Sequence, residues 1–240
     1  MPRANSQPKV IGVLIARMDS ARLQGKVMME IEGRPLIDLV HARASRSKLI
    51  DQIAIATTDR PCDDVLAEHA AKLQSDVWRG DLTDVASRVL RCAEALSASH
   101  VVRINGDSPF VDPDLIDAGI SLALESEADL VTNLMPRSYP YGVAVEVIKV
   151  AAFRRCLPLF SPANREHVTQ YFYQNPDDIS IRALPLAERP GLPDVRLTID
   201  EPGDVSIIRS LAAKLGQRLV LAGYDEVASL VLKREEQPPA

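Results

Sequence analysis

Residues 16–26 hold Arg17, Arg22 and Lys26, with Ser20 and Gly25 between them. Three fixed or near-fixed positive charges within ten residues suit a polyphosphate. Arg guanidinium forks bind phosphate oxygens bidentately, Lys adds a compact charge, and Gly lets the backbone approach closely. The same residues also suit a solvated basic loop, and local composition leaves the two readings even. The stretch is neither a G-x-x-x-x-G-K-[ST] phosphate loop nor a G-x-G-x-x-G fingerprint. Two carboxylates stand out further along: Asp107 within Arg103–Pro109, and Asp200 between Ile199 and Glu201-Pro202. At a strand end, a carboxylate can hold Mg²⁺ against a nucleotide phosphate. Taken singly, each is better accounted for as a turn or cap residue.

These residues need elements to bring them together. Val10 to Ala16 is an apolar run that reads as a buried strand ending at the basic loop. A helix is expected from Pro35 to about Ser47, a strand over Gln52–Thr58 and a helix near Asp63–Lys72. A short strand over Asp76–Trp78, a helix over Asp84–Ala98 and a strand over His100–Ile104 come next. A helix over Pro113–Glu125 has Asp112 as its N-cap. This alternation predicts a parallel sheet covered on both faces, with ligands beyond the carboxyl ends of the strands. The basic loop, Thr57-Thr58-Asp59 and Gly106-Asp107 all fall at those ends. The second half is less regular. Asp129–Asn133, Ile179–Leu184 and Val195–Ile199 read as strands, and Val143–Ile148 alternates. Ala163–Gln174, Asp204–Leu215 and Asp225–Lys233 read as helices. Pro185–Pro193 reads as a loop. No repeat or linker divides the chain. One domain over residues 10–233 is expected, with flexible termini at 1–9 and 234–240.

Composition narrows the class. The chain has 240 residues, enough for one large α/β domain, and its 46% hydrophobic and 25% charged residues are ordinary globular values. A net charge of −5 argues against a general nucleic-acid binder. Cys62, Cys92 and Cys156 are widely spaced and odd in number, with neither a zinc pattern nor a disulfide framework, which fits a reducing cytoplasm. The first residues lack an apolar signal region, and no run is long and apolar enough to span a membrane.

The stretch Ala16-Arg17-Met18-Asp19-Ser20-Ala21-Arg22-Leu23-Gln24-Gly25-Lys26, followed by Gly33-Arg34-Pro35-Leu36, resembles the signature of the cytidylyltransferase family, A-R-x-x-S-x-R-L-x-G-K then G-x-P-L. That family includes CMP-sugar synthetases and, as the nearest branch, SpsF-like proteins of surface-polysaccharide pathways. Further segments carry the resemblance to about Leu211. They are Arg79-Gly80 with Asp84-Val85 and Arg88, the run around Asp107 and Asp200, Gly142 to Glu146, and Arg165-Glu166-His167-Val168-Thr169.

The resemblance implies an α/β nucleotide-diphospho-sugar transferase fold with a mixed, mostly parallel sheet. It implies a cytidylyltransferase that uses CTP and Mg²⁺, acts on a small acidic acceptor and forms a homodimer. Residue by residue, it implies a triphosphate clamp of Arg17, Arg22 and Lys26. Nucleotide contacts are implied at Ala16, Ser20, Gly25, Thr58, Arg79, Gly80, Asp84, Asn105 and Gly106, and acceptor contacts at Tyr141, Gly142, Glu146, Arg165 and His167. The metal is implied at Asp107 and Asp200. For Arg88 a solvated helix charge is an equal reading. The sequence departs from the family pattern at Ile15 (often Gln), Gln24 (often Pro) and Ala144 (mostly Asp). The last removes a sugar-hydroxyl acceptor and points to an altered acceptor. A related transferase with a phosphonate or polyol-phosphate acceptor or another nucleotide, and a non-catalytic nucleotide binder, stay open beside the main reading.

Overall fold

The computed structural model describes residues 8–137, 139–185 and 195–235. In chain order the strands and α-helices are β1 (Val10–Ile15), β2 (Glu30–Ile31), β3 (Arg34–Pro35), α1 (Leu36–Ala44), β4 (Gln52–Thr58), α2 (Asp64–Lys72), β5 (Asp76–Gly80), α3 (Val85–Ala95) and β6 (His100–Asn105). Then come α4 (Pro113–Ser126), β7 (Leu130–Thr132), β8 (Glu146–Lys149), α5 (Val150–Cys156), α6 (Pro162–Glu166), α7 (Gln170–Gln174), β9 (Ile181–Ala183), α8 (Pro202–Leu215) and α9 (Tyr224–Glu235).

Seven strands form one sheet in the order β5-β4-β1-β6-β8-β7-β9, and β2 and β3 form a separate small hairpin. β8 runs antiparallel to both β6 and β7, while the other pairings are parallel. The expected mixed, mostly parallel sheet is therefore present. β1 is buried on both faces, as its unbroken apolar run requires. Alternate side chains of β1 divide between two cores: Val10 and Leu14 pack with α1, α4 and α8, while Ile11 and Val13 pack with α3 and α5. Asp112 caps α4 by accepting from the Leu115 amide at 2.9 Å, as the sequence predicts.

Three elements differ from expectation. The helix expected over Ala163–Gln174 is broken into α6 and α7, with Val168 between them at a left-handed φ of 40°. Contacts on both sides outrank helical periodicity. Arg165 bonds Asp84 at 2.5 Å, while the Thr169 and Tyr173 hydroxyls bond the Glu146 carboxylate. The segment expected as a strand over Val195–Ile199 makes only a bridge between Arg196 and Tyr141. Its backbone is instead satisfied by two loops, with the Leu197 amide donating to the Tyr141 carbonyl at 2.7 Å and the Ile199 amide to the Asp107 carbonyl at 2.9 Å. The strand expected over Ile179–Leu184 shortens to β9. Of the loop expected over Pro185–Pro193, residues 186–193 lie outside the described residues. Lys9, expected in the leader, accepts at its carbonyl from the Ser99 amide at 2.8 Å.

Candidate active site

The sheet connections reverse between β1 and β6. From β1 the chain moves outward to β4 and β5, and it returns beside β1 as β6 before passing to β7 and back to β8, which fills the place between them. Where adjacent connections diverge, a crevice opens at the carboxyl ends of the strands. Here it is a cavity of about 320 Å³ whose floor includes Ile15, Ala16, Asn105 and Gly106. Gly106 is required by close approach: its amide donates to the Ile15 carbonyl at 2.9 Å, and a Cβ would lie 2.9 Å from that same oxygen.

The basic loop is held over this crevice from the β4 side. Asp63 is buried and accepts from the Met18 amide at 2.6 Å through one carboxylate oxygen. Its other oxygen accepts from the Thr58 hydroxyl. Arg60 pairs with Asp19 at 2.6 Å, and the Gly25 amide closes the turn onto the Met18 carbonyl at 2.8 Å. The loop is thus braced at its backbone, while Ala21, Arg22 and Gln24 within it stay exposed. Arg17, Ser20, Arg22 and Lys26 all line the cavity. Arg17 has no hydrogen bond or ion pair among the described residues.

Lys26 reaches across the cavity to the two carboxylates. Its ammonium donates to Asp107 Oδ2 at 2.8 Å, to the Ile199 carbonyl at 2.8 Å and to Asp200 Oδ1 at 3.0 Å. Arg22 donates to the same Asp200 oxygen at 3.0 Å and to Glu201 at 3.5 Å. Asp107 and Asp200 are 93 residues apart in sequence (200 − 107) and meet through one lysine. Burial disfavours ionised Asp200, but the bonds and charges of Lys26 and Arg22 outweigh it and hold its pKa below the usual carboxylate value.

The opposite wall is also cationic. Arg88 is 2% exposed, so its reading as a solvated helix charge is overturned. Its Nη1 donates to the Asp81 carbonyl at 2.8 Å, whereas its buried Nε has no partner among the described residues. Burial and then the nearby Arg17 charge push its pKa down. Arg103 extends from β6 into the same cavity and pairs with buried Glu146 at 2.5 Å, again leaving its Nε unpartnered among the described residues. A cavity carrying several guanidinium groups and two lysine-bridged carboxylates is built for an anion of high charge density together with a cation.

The profile of the cytidylyltransferase family matches residues 11–178 of this chain. The chain belongs to the cytidylyltransferase family. It is 32% identical over 215 residues to the spore coat polysaccharide biosynthesis protein SpsF of Bacillus subtilis, covering 87% of this chain and 88% of that protein. It is 30% identical over 204 residues to a 3-deoxy-manno-octulosonate cytidylyltransferase of Solibacter usitatus, covering 78% and 77%. A solved cytidylyltransferase structure from Leptospira borgpetersenii superposes with a TM-score of 0.90 at 25% identity, over 98% of this chain and all of that one. Membership makes this chain a CTP-dependent nucleotidyltransferase.

In this cytidylyltransferase the expected site residues divide into groups. Ala16, Arg17, Ser20, Arg22, Lys26, Asn105, Gly106, Asp107, Asp200 and His167 line the one cavity, whereas Gly25 lies outside its lining and turns the loop at φ 68°. Arg79, Gly80, Asp84 and Arg165 line a second cavity of about 400 Å³, which adjoins the first across Arg88. There Arg79 is bonded to the Thr58 and Arg60 carbonyls and to Asp64, and Asp84 caps α3 while holding Arg165. Trp78 is wall to this second cavity. Thr58 is fully buried behind the loop, and Glu146 reaches the first cavity only through Arg103. Tyr141 is 41% exposed, with the Arg137 guanidinium 4.0 Å and that of Arg196 5.3 Å from its ring centroid. Gly142 has φ 97°, and a Cβ there would lie 2.6 Å from the Leu197 carbonyl. Asp63 and Arg103 carry no sequence signal of their own: an acid at a helix start and a cation within a strand suit many roles.

Proposed function

We propose that this cytidylyltransferase transfers CMP from CTP to an acidic sugar or related small acidic acceptor, releasing pyrophosphate, in surface-polysaccharide or glycoconjugate biosynthesis. The observation that carries the reading is the convergence of Arg17, Arg22 and Lys26 with Asp107 and Asp200 on one cavity. An acceptor oxygen attacks the α-phosphorus in line. The new P–O bond forms as the bond to the pyrophosphate oxygen breaks, and the acceptor's proton leaves to solvent. Arg17 and Arg22 draw the triphosphate into place and stabilise charge on the departing pyrophosphate. Arg88 and Arg103 give the opposite wall a positive field that suits an acidic acceptor.

A divalent cation, Mg²⁺ in this reading, fits the donor set. The two carboxylates and the Ile199 carbonyl are hard oxygen donors already gathered around one positive charge. Among the described residues no cluster of three or more acidic, His or Cys side chains stands ready for a metal. Asp107 and Asp200 would therefore hold the cation jointly with substrate oxygens, as Mg²⁺ commonly is held. When bound, it polarises the α-phosphate.

Ala144 favours a second acceptor class. A residue without a polar side chain replaces the Asp common in SpsF-like relatives, which suits a phosphonate or polyol phosphate. Thermal-shift titrations at fixed Mg²⁺ with CTP, UTP, ATP and GTP test the nucleotide. CTP raises the midpoint most, and the shift disappears in Asp107→Ala. Equal shifts with all four nucleotides would remove the CTP reading. Pyrophosphate release across sugar acids, phosphonates and polyol phosphates then identifies the acceptor.

A further inference from the structure

An ammonium has three N–H donors and no more. Those of Lys26 go to Asp107, the Ile199 carbonyl and Asp200, at 2.8, 2.8 and 3.0 Å. None is left for a phosphate. The Lys26 side chain is 9% exposed, against 25% for Asp107 and 17% for Asp200, so the charge sits inside the cluster rather than over it. The Ile199 amide in turn donates to the Asp107 carbonyl at 2.9 Å, which locks the two carboxylate loops to each other around the lysine.

We infer that Lys26 is a resident cation for the two carboxylates. Its ammonium occupies the place of the divalent cation in the nucleotide-free protein and must leave Asp107 and Asp200 when that cation enters with nucleotide. This rests on the metal-dependent nucleotidyl-transfer reading and deepens it. Two carboxylates facing each other repel unless a positive charge lies between them. A mobile lysine supplies that charge without closing the site. A divalent cation and an ammonium cannot share the same two oxygens, since at contact distance their charges repel. The released ammonium then needs an anion, and the triphosphate is the one the cavity is built to receive. Metal and nucleotide therefore enter as a coupled pair, each removing an obstacle to the other. Arg22 also touches Asp200, but it is 55% exposed and can swing into solvent. Arg196, 3.9 Å from the other Asp200 oxygen, is about equally exposed. Lys26 alone is enclosed.

The experiment is Mn²⁺ binding to nucleotide-free protein, read by electron paramagnetic resonance of the free ion. Lys26→Met binds Mn²⁺ at least tenfold more tightly than wild type, and adding Asp107→Asn to that variant abolishes the gain. Equal or weaker Mn²⁺ binding by Lys26→Met overturns the inference, as does a gain that survives the added Asp107→Asn. Should Lys26→Met not fold, Lys26→Gln keeps two donors without charge and carries the same expectation. In wild type, lysine-labelled ¹⁵N spectra show a Lys26 ammonium signal that moves as Mg²⁺ and CTP are added together, because its partners change from the two carboxylates to the triphosphate. An unmoved signal at saturation overturns the inference. The CTP thermal shift is read separately. A shift with CTP beside an unchanged Mn²⁺ affinity leaves nucleotidyl transfer standing and removes only the resident-cation role, whereas the tighter Mn²⁺ binding without a CTP shift does the reverse.

Discussion

Lys26 and Glu146 show how a single side chain sets the charge state of its surroundings. Lys26→Ala removes the cation between two carboxylates and, in the function proposed above, one arm of the triphosphate clamp. Turnover is expected to fall by about 10²- to 10³-fold, the scale of losing one preorganised charge-stabilising donor. Steady-state pyrophosphate release checks this, and near wild-type turnover would refute the role. Glu146 is 1% exposed and is bonded to Arg103 at 2.5 Å and Tyr173 at 2.7 Å. Burial opposes its ionisation, but the Arg103 charge and bonds from Thr169, Tyr173 and Arg103 prevail and keep its pKa below the usual value. Glu146→Ala leaves the Arg103 guanidinium without its partner and is expected to cost about 3–5 kcal/mol of stability, measured by urea unfolding. A cost below about 1 kcal/mol would show that the pair is dispensable.

At the level of elements, the basic loop is only as ordered as its braces. Asp63, at the start of α2, ties the Met18 amide to Thr58 at the end of β4. Asp63→Ala frees both partners and lets the loop that carries Arg17 and Arg22 fluctuate. The expected result is a rise in KM for CTP of about tenfold or more, from a buried bond left unmade on each side. Initial-rate kinetics measures it, with circular dichroism showing the fold retained. An unchanged KM would mean that the Arg60–Asp19 pair suffices. The broken helix α6–α7 belongs to this scale as well. The break at Val168 separates Arg165, which holds Asp84, from Thr169 and Tyr173, which hold Glu146, while His167 lines the cavity, so one short motif serves two walls.

Across the whole molecule, stability should weaken on the acid side. Glu146 is held below its ordinary pKa, and so is Asp84, where bonds from Ser87 and Arg165 outweigh burial. A carboxylate depressed in the folded state contributes stability that is complete above its unfolded value, about 4, and is lost as pH falls through the folded value. The thermal midpoint is therefore expected to start declining below about pH 6.5, where His41 and His100, both held below the ordinary imidazole value mainly by burial, take up protons first in the unfolded chain, and to fall further below about pH 4. In Glu146→Gln the second decline is shallower. Scanning calorimetry across pH measures both, and a midpoint unchanged down to about pH 3 would contradict the linkage.

The alternation of apolar runs and amphipathic segments was enough to read the parallel core from β1 to α4, because period and length report burial directly. The spacing Ala16 to Lys26 was enough to place a basic loop at a strand end and, by resemblance, a family. Pairing across long separations was not legible. Nothing in Lys26, Asp107 or Asp200 announces that one ammonium bridges them, because their contact depends on where β1, β6 and the segment after residue 195 end in space. The burial of Arg88, the brace at Asp63 and the division of Arg79, Asp84 and Arg165 into a second cavity were settled in the same way. Charged side chains have no periodicity that says whether they meet water or each other, so only the tertiary structure decides it.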